Sequence, residues 1–239
     1  MLEIVQPGQA GKTSLLLDMH RLRKRVFKDR MGWEVSINSH GLEVDQFDFP
    51  ETVYLLALDD ERQVIGNWRL LPTIGPTMIR DVWPEFLETI DMKLDPYSWE
   101  VSRFAVDSHL GNSKAAVRQI NTATAELFCG MTELSLLCGI KRIYTMYDDK
   151  IARVLRKIDC EPIKVSAQLK VSNTSAQVGV FLTDEVMLAR LRHATGISEP
   201  LITKEMLPPY LDDFRRQMGA RIQDNKPRHT SDAKHSAAV

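Results

Sequence analysis

Apolar segments of strand length recur through the first part of the chain, at 2–5, 53–58, 64–71 and 99–106. One long helical stretch follows, then a strand at 141–147, a helix at 149–159 and a strand pair at 163–171 and 177–182. Strands in this number must share a sheet, and the amphipathic helices between them must cover its faces. The order therefore predicts an α/β fold, a single-domain α/β/α sandwich with a mixed sheet. The charged turn 59–63 and the polar turn 172–175 each close a hairpin. Pro72, Gly75 and Pro76 end the first hairpin, and 79–87 reads as a short helix with Pro84 inside it. Ser113 is expected to cap the long helix, which runs to Leu137 and stops at Gly139; a further helix at 184–194 ends at Gly196. The domain is expected to span 1–218. From Gly219 onward the chain is polar and aperiodic, so 219–239 is expected to be a disordered tail.

The segment PGQAGKTS, residues 7–14, ends like a phosphate-binding P-loop. That loop needs a first glycine five positions before the second, and here Gln6 occupies it, while Gly8 is only three before Gly11. The segment reads instead as a turn into a first helix, capped by Thr13 or Ser14, whose Leu15, Met19, Leu22 and Val26 recur at helical spacing. A net charge of −1 offers no global attraction to nucleic acid or membrane. No apolar run is long enough to span a bilayer, the N-terminus lacks a signal-peptide pattern, and the three cysteines form no CxxC pair. A cytoplasmic protein is expected. The six histidines show no metal-site spacing, so no metal and no cofactor are expected.

Charge inside apolar strands is the informative anomaly, because Asp, Glu and Arg avoid such positions unless paired. Arg69 in NWRLLPT, Glu100 and Arg103 in WEVSRFAV, and Asp45 and Asp48 in EVDQFD form a candidate ion-pair cluster. In a regular strand Glu100 and Arg103 point to opposite faces, so a bulge near Val101 or Ser102 is needed to bring them together. A purely structural Arg69–Glu100 salt bridge is the competing explanation.

Arg23, Phe27 and Trp33, then Asp45 and Asp48, then Arg69 within RLLPT, then Glu100 and Arg103 within WEVSRF, resemble the signature of the acyl-homoserine lactone synthases, the LuxI-type autoinducer synthases. The match runs from about Leu22 to Val106, and the order of strands and helices agrees up to about Leu182. One position departs: Trp83 stands where the family usually has phenylalanine. The resemblance implies a fold like the GNAT acyltransferases, in which two neighbouring strands, here 99–106 and 141–147, splay to admit a phosphopantetheine arm. It implies a reaction between S-adenosylmethionine and an acyl thioester, normally on acyl carrier protein. The amine is acylated, and the carboxylate then displaces methylthioadenosine to close the lactone.

The residues suit that chemistry. S-adenosylmethionine carries a sulfonium, an ammonium and a carboxylate. Asp45 and Asp48 offer negative field, Phe27 and Trp33 a cation–π surface, and Arg23, Arg69 or Arg103 a carboxylate clamp. Taken singly, Phe27 and Trp33 are better explained as ordinary packing at the end of the first helix. A free α-amino group has a pKa of about 7.7 to 8.0 and a glutamate about 4.3, so Glu100 is a base only if burial raises it, the sulfonium lowers the amine, or a water intervenes. Arg103 remains charged and orders the cluster. Thr145 lies near a threonine that the family associates with 3-oxo acyl chains, and is also simply a good strand former.

Carrier proteins are acidic, so a basic docking patch is expected at Lys150, Arg153, Arg156 and Lys157 on the helix from Asp149; Arg21, Lys24, Arg25 and Lys28 compete with it. No DNA-binding motif accompanies either patch. The turn SHLGNSK has only Gly111 where ordinary GNAT enzymes carry a glycine-rich turn to hold the pyrophosphate of coenzyme A. The alternatives are an N-acetyltransferase using acetyl-coenzyme A and a non-catalytic sensor of acyl ligands.

Overall fold

Among the described residues eight strands form one sheet, and pairing alone fixes their order. Strands β1 (Leu2–Val5), β2 (Val53–Leu58), β3 (Val64–Pro72) and β4 (Ser98–Val106) pair antiparallel in sequence. Beyond β4 comes β5 (Arg142–Asp148), parallel to it, and then antiparallel β8 (Thr174–Leu182), which also carries β6 (Lys164–Val165) and β7 (Leu169–Val171). The computed structural model describes residues 1–107, 121–171 and 174–224. A parallel pair needs a crossover, and helix α3 (Thr122–Cys138) lies within it. Its N-cap is Asn121, whose side chain accepts from the Ala123 N–H at 2.7 Å, and Gly139 ends it with a φ of +73°. The expected cap, Ser113, lies outside the described residues.

The two faces of the sheet bury different helices, and alternation along each strand assigns the residues. Trp68, Leu70, Trp99, Val101, Ile143 and Tyr147 pack with Leu127, Phe128 and Leu134 of α3 and with Leu191 of α5 (Glu185–Thr195). On the opposite face Tyr54 and Leu56 meet α1 (Thr13–Arg23) through Leu15, Met19 and Leu22. Tyr144 and Val178 meet Ile79 and Phe86 from α2 (Met78–Val82) and the 3-10 turn Pro84–Glu88. At eleven residues α1 is too short to persist alone. Burial of those three side chains, worth about 1.5–3 kcal/mol each, is what holds it. The chain continues from α1 as the wider π-helical turns of Lys24–Arg30, which carry Phe27.

The sandwich expected from the sequence is therefore present, with local corrections. Lys12, not Thr13 or Ser14, stands at the N-cap of α1; Gly8 and Gly11 hold the left-handed φ angles that shape the turn, and the Lys12 ammonium is 2.5 Å from Glu3. The helix expected at 79–87 is two short ones split at Pro84. The expected strand 163–171 is broken between β6 and β7, because β8 advances from Ala176 to Gly179 while its partner advances from Val165 to Leu169, one residue more. Thr174 and Ser175, expected in a turn, belong to β8; residues 172–173 lie outside the described ones.

Helix α6 (Pro209–Asp224) passes through Gly219, where the tail was expected to begin. Leu211 is buried, and the Phe214 ring meets Trp99 edge-on at 5.3 Å. Those anchors nucleate the helix, and its polar end simply continues it. Residues 225–239 lie outside the described ones. Among the described residues no helix is long and apolar enough to cross a membrane.

Candidate active site

Three guanidinium groups on three different elements converge on carboxylates from one irregular segment. Arg23 ends α1, Arg69 lies on β3 and Arg103 on β4, while Glu43, Asp45 and Asp48 come from the stretch before β2. Arg23 holds both oxygens of Asp48, at 2.7 and 2.9 Å, and pairs with Glu43. Arg69 Nη1 reaches Asp45 at 2.5 Å and Asp48 at 3.1 Å, and its Nε donates to Ser102 Oγ at 3.1 Å. Arg103 joins Asp45 at 2.5 Å and Glu43 at 3.2 Å.

The segment is shaped for this task by its own side chains. The Asp45 carboxylate accepts from the Phe47 N–H at 2.8 Å, and Asp48 accepts from the Asp45 N–H at 2.8 Å and from Tyr54 OH at 2.7 Å. The Glu43 carbonyl lies 2.7 Å from His20 Nδ1, and a bridge to Ile37 fixes the approach. Burial by itself would raise Asp48, but Arg23 and Arg69 outweigh it and hold this carboxyl well below the usual range. Burial, and then the neighbouring Arg69 charge, pull Arg103 below its ordinary value against the attraction of Glu43 and Asp45.

Arg103 reaches the cluster through a bulge, one step beyond the expected one. Asn67 opposes Ala105 and Arg69 opposes Ser102, so β4 contains an extra residue there, and Arg103 takes a φ of +56°. A left-handed arginine costs roughly 1–2 kcal/mol, and two ion pairs outweigh that.

Glu100 does not join the cluster. Its carboxylate accepts from the N–H groups of Met78 at 3.2 Å and Ile79 at 2.7 Å, at the start of α2. Neither the expected Glu100–Arg103 contact nor the competing Arg69–Glu100 salt bridge forms. Met78, whose N–H donates to Glu100, has its sulfur 3.7 Å from Arg69 Nη2 and 3.1 Å from Arg103 Nη1. Burial pushes the Glu100 carboxyl up, and the two N–H groups with the charges of Arg69 and Arg103 only partly reverse this.

Glu100 also marks where the sheet opens. Strands β4 and β5 pair only at Ser98↔Arg142, Trp99↔Ile143 and Glu100↔Tyr144. Past that rung β4 follows β3 and β5 follows β8, leaving a wedge with Glu100 at its apex.

Phe27 and Trp33 stack at 5.4 Å with nearly parallel rings, and the Arg103 guanidinium lies 5.7 Å over Phe27. The Phe27 face is thus occupied by an internal cation and packing, and only half-buried Trp33 remains partly open. Trp83 packs between the group of Phe47, Leu71 and Met78 and the group of Ile79 and Phe86, beside the cluster. Thr145 pairs with Gly179 on β5, one residue past the apex, half-buried, on the face of Ile143 and Tyr147. Lys150, Arg153, Arg156 and Lys157 are exposed on α4 (Asp149–Lys157), and none of the four has a carboxylate partner among the described residues. In the competing patch Arg21 pairs with Asp18, Lys24 with Asp29 and Arg25 with Asp107.

Sequence reasoning missed Glu43, although EVDQFD displays it two residues before Asp45. It also missed Met78, Tyr54 and Ser102, whose side chains are of kinds that cores and turns use everywhere. Among the described residues no group of His, Cys, Asp and Glu could hold a metal ion.

A splayed mixed sheet with a buried carboxylate at its apex, inside an α/β/α sandwich, defines an acyltransferase-type fold of the GNAT kind. The family model described as "Autoinducer synthase" matches residues 9–191. A probable acyl-homoserine-lactone synthase of Sinorhizobium fredii is 33% identical over 203 residues, covering 85% of this chain and 97% of the relative. The acyl-homoserine-lactone synthase of Agrobacterium fabrum is 37% identical over 176 residues, 73% of this chain and 82% of the relative. Among solved structures, the AHL synthase LasI superposes with a TM-score of 0.68 at 28% identity, covering 85% of this chain and 98% of that one. BjaI, a CoA-dependent acyl-homoserine lactone synthase solved with SAM and isopentyl-CoA, shares the fold with a TM-score of 0.75 at 24% identity, covering 90% and 97%. The chain belongs to the autoinducer synthase family and is an enzyme.

Proposed function

We propose that the enzyme makes an N-acyl-L-homoserine lactone signal from S-adenosylmethionine and an acyl thioester, with methylthioadenosine as the second product. The observation that carries this reading is the position of Glu100, a buried carboxyl of raised proton affinity at the apex of the β4–β5 wedge. An acyl thioester laid in the wedge brings its carbonyl to that apex. The amine nitrogen attacks the carbonyl carbon, Glu100 takes the amine proton, and the carbon–sulfur bond of the thioester breaks with its pair on sulfur, the departing thiolate receiving a proton back from Glu100. The carboxylate oxygen then attacks the carbon bound to the sulfonium, whose bonding pair goes to sulfur and neutralises it.

The charge balance favours such a donor. Arg23, Arg69 and Arg103 are matched by Glu43, Asp45 and Asp48, and ionised Glu100 leaves the site at −1. S-adenosylmethionine carries one net positive charge and complements it. Arg23 spends its donors on Asp48 and Glu43, whereas among the described residues Arg69 Nη2 and Arg103 Nη1 have hydrogen bonds only to the Met78 thioether. Those two groups therefore form the carboxylate clamp, while Asp45 and Asp48 set the field, Trp33 and Trp83 wall the site with Phe27 behind, and Thr145 faces the acyl chain.

The acyl donor is proposed to be acyl carrier protein, an acidic partner for the uncompensated cations Lys150, Arg153, Arg156 and Lys157. A cytoplasmic setting accords with three cysteines that are all buried free thiols. Incubation with S-adenosylmethionine and a panel of acyl carrier proteins and acyl-coenzymes A, read by mass spectrometry, tests the proposal. Acyl-homoserine lactone and methylthioadenosine should appear in equal amounts. Acetyl transfer without methylthioadenosine would identify an N-acetyltransferase instead, and no turnover of any donor would leave only a sensor.

A further inference from the structure

The Met78 side chain is buried, and the residue touches Arg69, Arg103 and Glu100. Its sulfur accepts from Arg69 Nη2 and Arg103 Nη1, and its own N–H donates to the Glu100 carboxylate. Among the described residues Glu100 has no ion-pair partner, although two guanidinium groups act on it electrostatically. A buried carboxylate beside two arginines ordinarily forms a charge-assisted pair with them, because that is the strongest bond open to either. A thioether is a weak acceptor on a flexible stem. It satisfies the donors while leaving them easy to take.

We propose that Met78 is a positioning residue that keeps Arg69 and Arg103 off Glu100, so that the guanidinium groups stay available to the substrate carboxylate and the Glu100 carboxylate to the substrate amine. The surroundings leave these two arginines as the cations that matter to Glu100. From α2 it meets backbone N–H groups, while Arg80 is turned to the carbonyls of Thr73 and Gly75 and Asp81 to the Thr77 N–H. From β5 its partner Tyr144 carries its hydroxyl away, to the Lys93 N–H and the Asp91 carbonyl. From the loop, Asp45 is held by Arg69 and Arg103 themselves.

The part concerning substrate rests on the proposed reaction; the spacing does not, and the test separates them. Met78→Leu conserves volume and removes the acceptor, and Met78→Gln keeps an acceptor. Carbon-13 NMR of the side-chain carboxyls, with Glu100→Gln as assignment control, follows Glu100 without any turnover. In Met78→Leu the arginines should fall onto Glu100 and lower its titration midpoint by about one unit or more, with the Gln variant near wild type. The Leu variant should also raise KM for S-adenosylmethionine about tenfold, since Glu100 now occupies the clamp. A folded Met78→Leu protein with an unmoved midpoint overturns the inference, whatever the wild type catalyses. If that variant does not fold, a lowered midpoint in Met78→Gln overturns it. A moved midpoint in a wild type that turns over no acyl donor would keep the spacing and sink the reaction.

Discussion

Arg23 and Asp48 meet through two parallel bonds, Nη1 to Oδ1 and Nη2 to Oδ2, with both side chains almost fully withdrawn from water. The pair ties the end of α1 to the segment that supplies every carboxylate of the cluster. Replacing Asp48 by Ala leaves Arg23 and Arg69 under-compensated in a dry site. The expected loss is about 3–5 kcal/mol of stability, read from the urea midpoint at unchanged slope. A loss below about 1 kcal/mol would mean that water reaches the cluster freely.

Asp48 and Glu100 should act on stability with opposite signs as pH changes. The depressed Asp48 contributes stability that is complete above the unfolded aspartate value of about 3.9 and is lost as pH falls toward its folded one. Glu100 is raised, so the unfolded chain releases that proton first, and stability drains away as pH rises from about 4.3 toward the folded value. Urea titrations of wild type and Glu100→Gln between pH 4 and pH 8 should show the wild type losing ground to the variant as pH increases. Parallel curves would show that burial does not raise Glu100.

Catalysis should depend on Glu100 far more than folding does. Glu100→Gln removes the proton acceptor while keeping the shape, and kcat should drop by about 10²–10⁴ with near-native circular dichroism. A variant with full activity would place the base elsewhere.

The α4 cations should matter for one donor only. Changing Arg153 and Arg156 together to Glu should raise KM for acyl carrier protein about tenfold at low salt, with the difference shrinking as salt screens it. KM for S-adenosylmethionine should stay within about twofold, because among the described residues neither arginine forms an ion pair with a cluster carboxylate. Equal effects on acyl-coenzyme A would argue against docking.

Much of this architecture could be read before any coordinates, because hairpins and amphipathic helices announce themselves by period. Strand β2 starts and ends where its apolar run does. Helix α6 went unread although Leu207, Tyr210, Leu211 and Phe214 recur at helical spacing, since polar residues around them dilute the pattern. In the site, the charged positions were legible as anomalies but their pairings were not. Strand alternation puts Arg103 on the wrong face, and nothing in the letters signals a left-handed arginine. Glu100 reads as a member of the cluster, and only tertiary packing shows that its carboxylate is held by the N–H groups of Met78 and Ile79 instead.

The three carboxylates that gather Arg23, Arg69 and Arg103 all sit within residues 43–48, outside regular helix or strand. Such a stretch works as a clasp whose teeth are set by sequence interval. One added or deleted residue there would disengage a helix and two strands at once, whereas the same change in the exposed turn 59–63 would merely alter a loop's outline. Tolerance to insertion along this chain is thus governed by which loop owns the teeth, not by which loop is irregular.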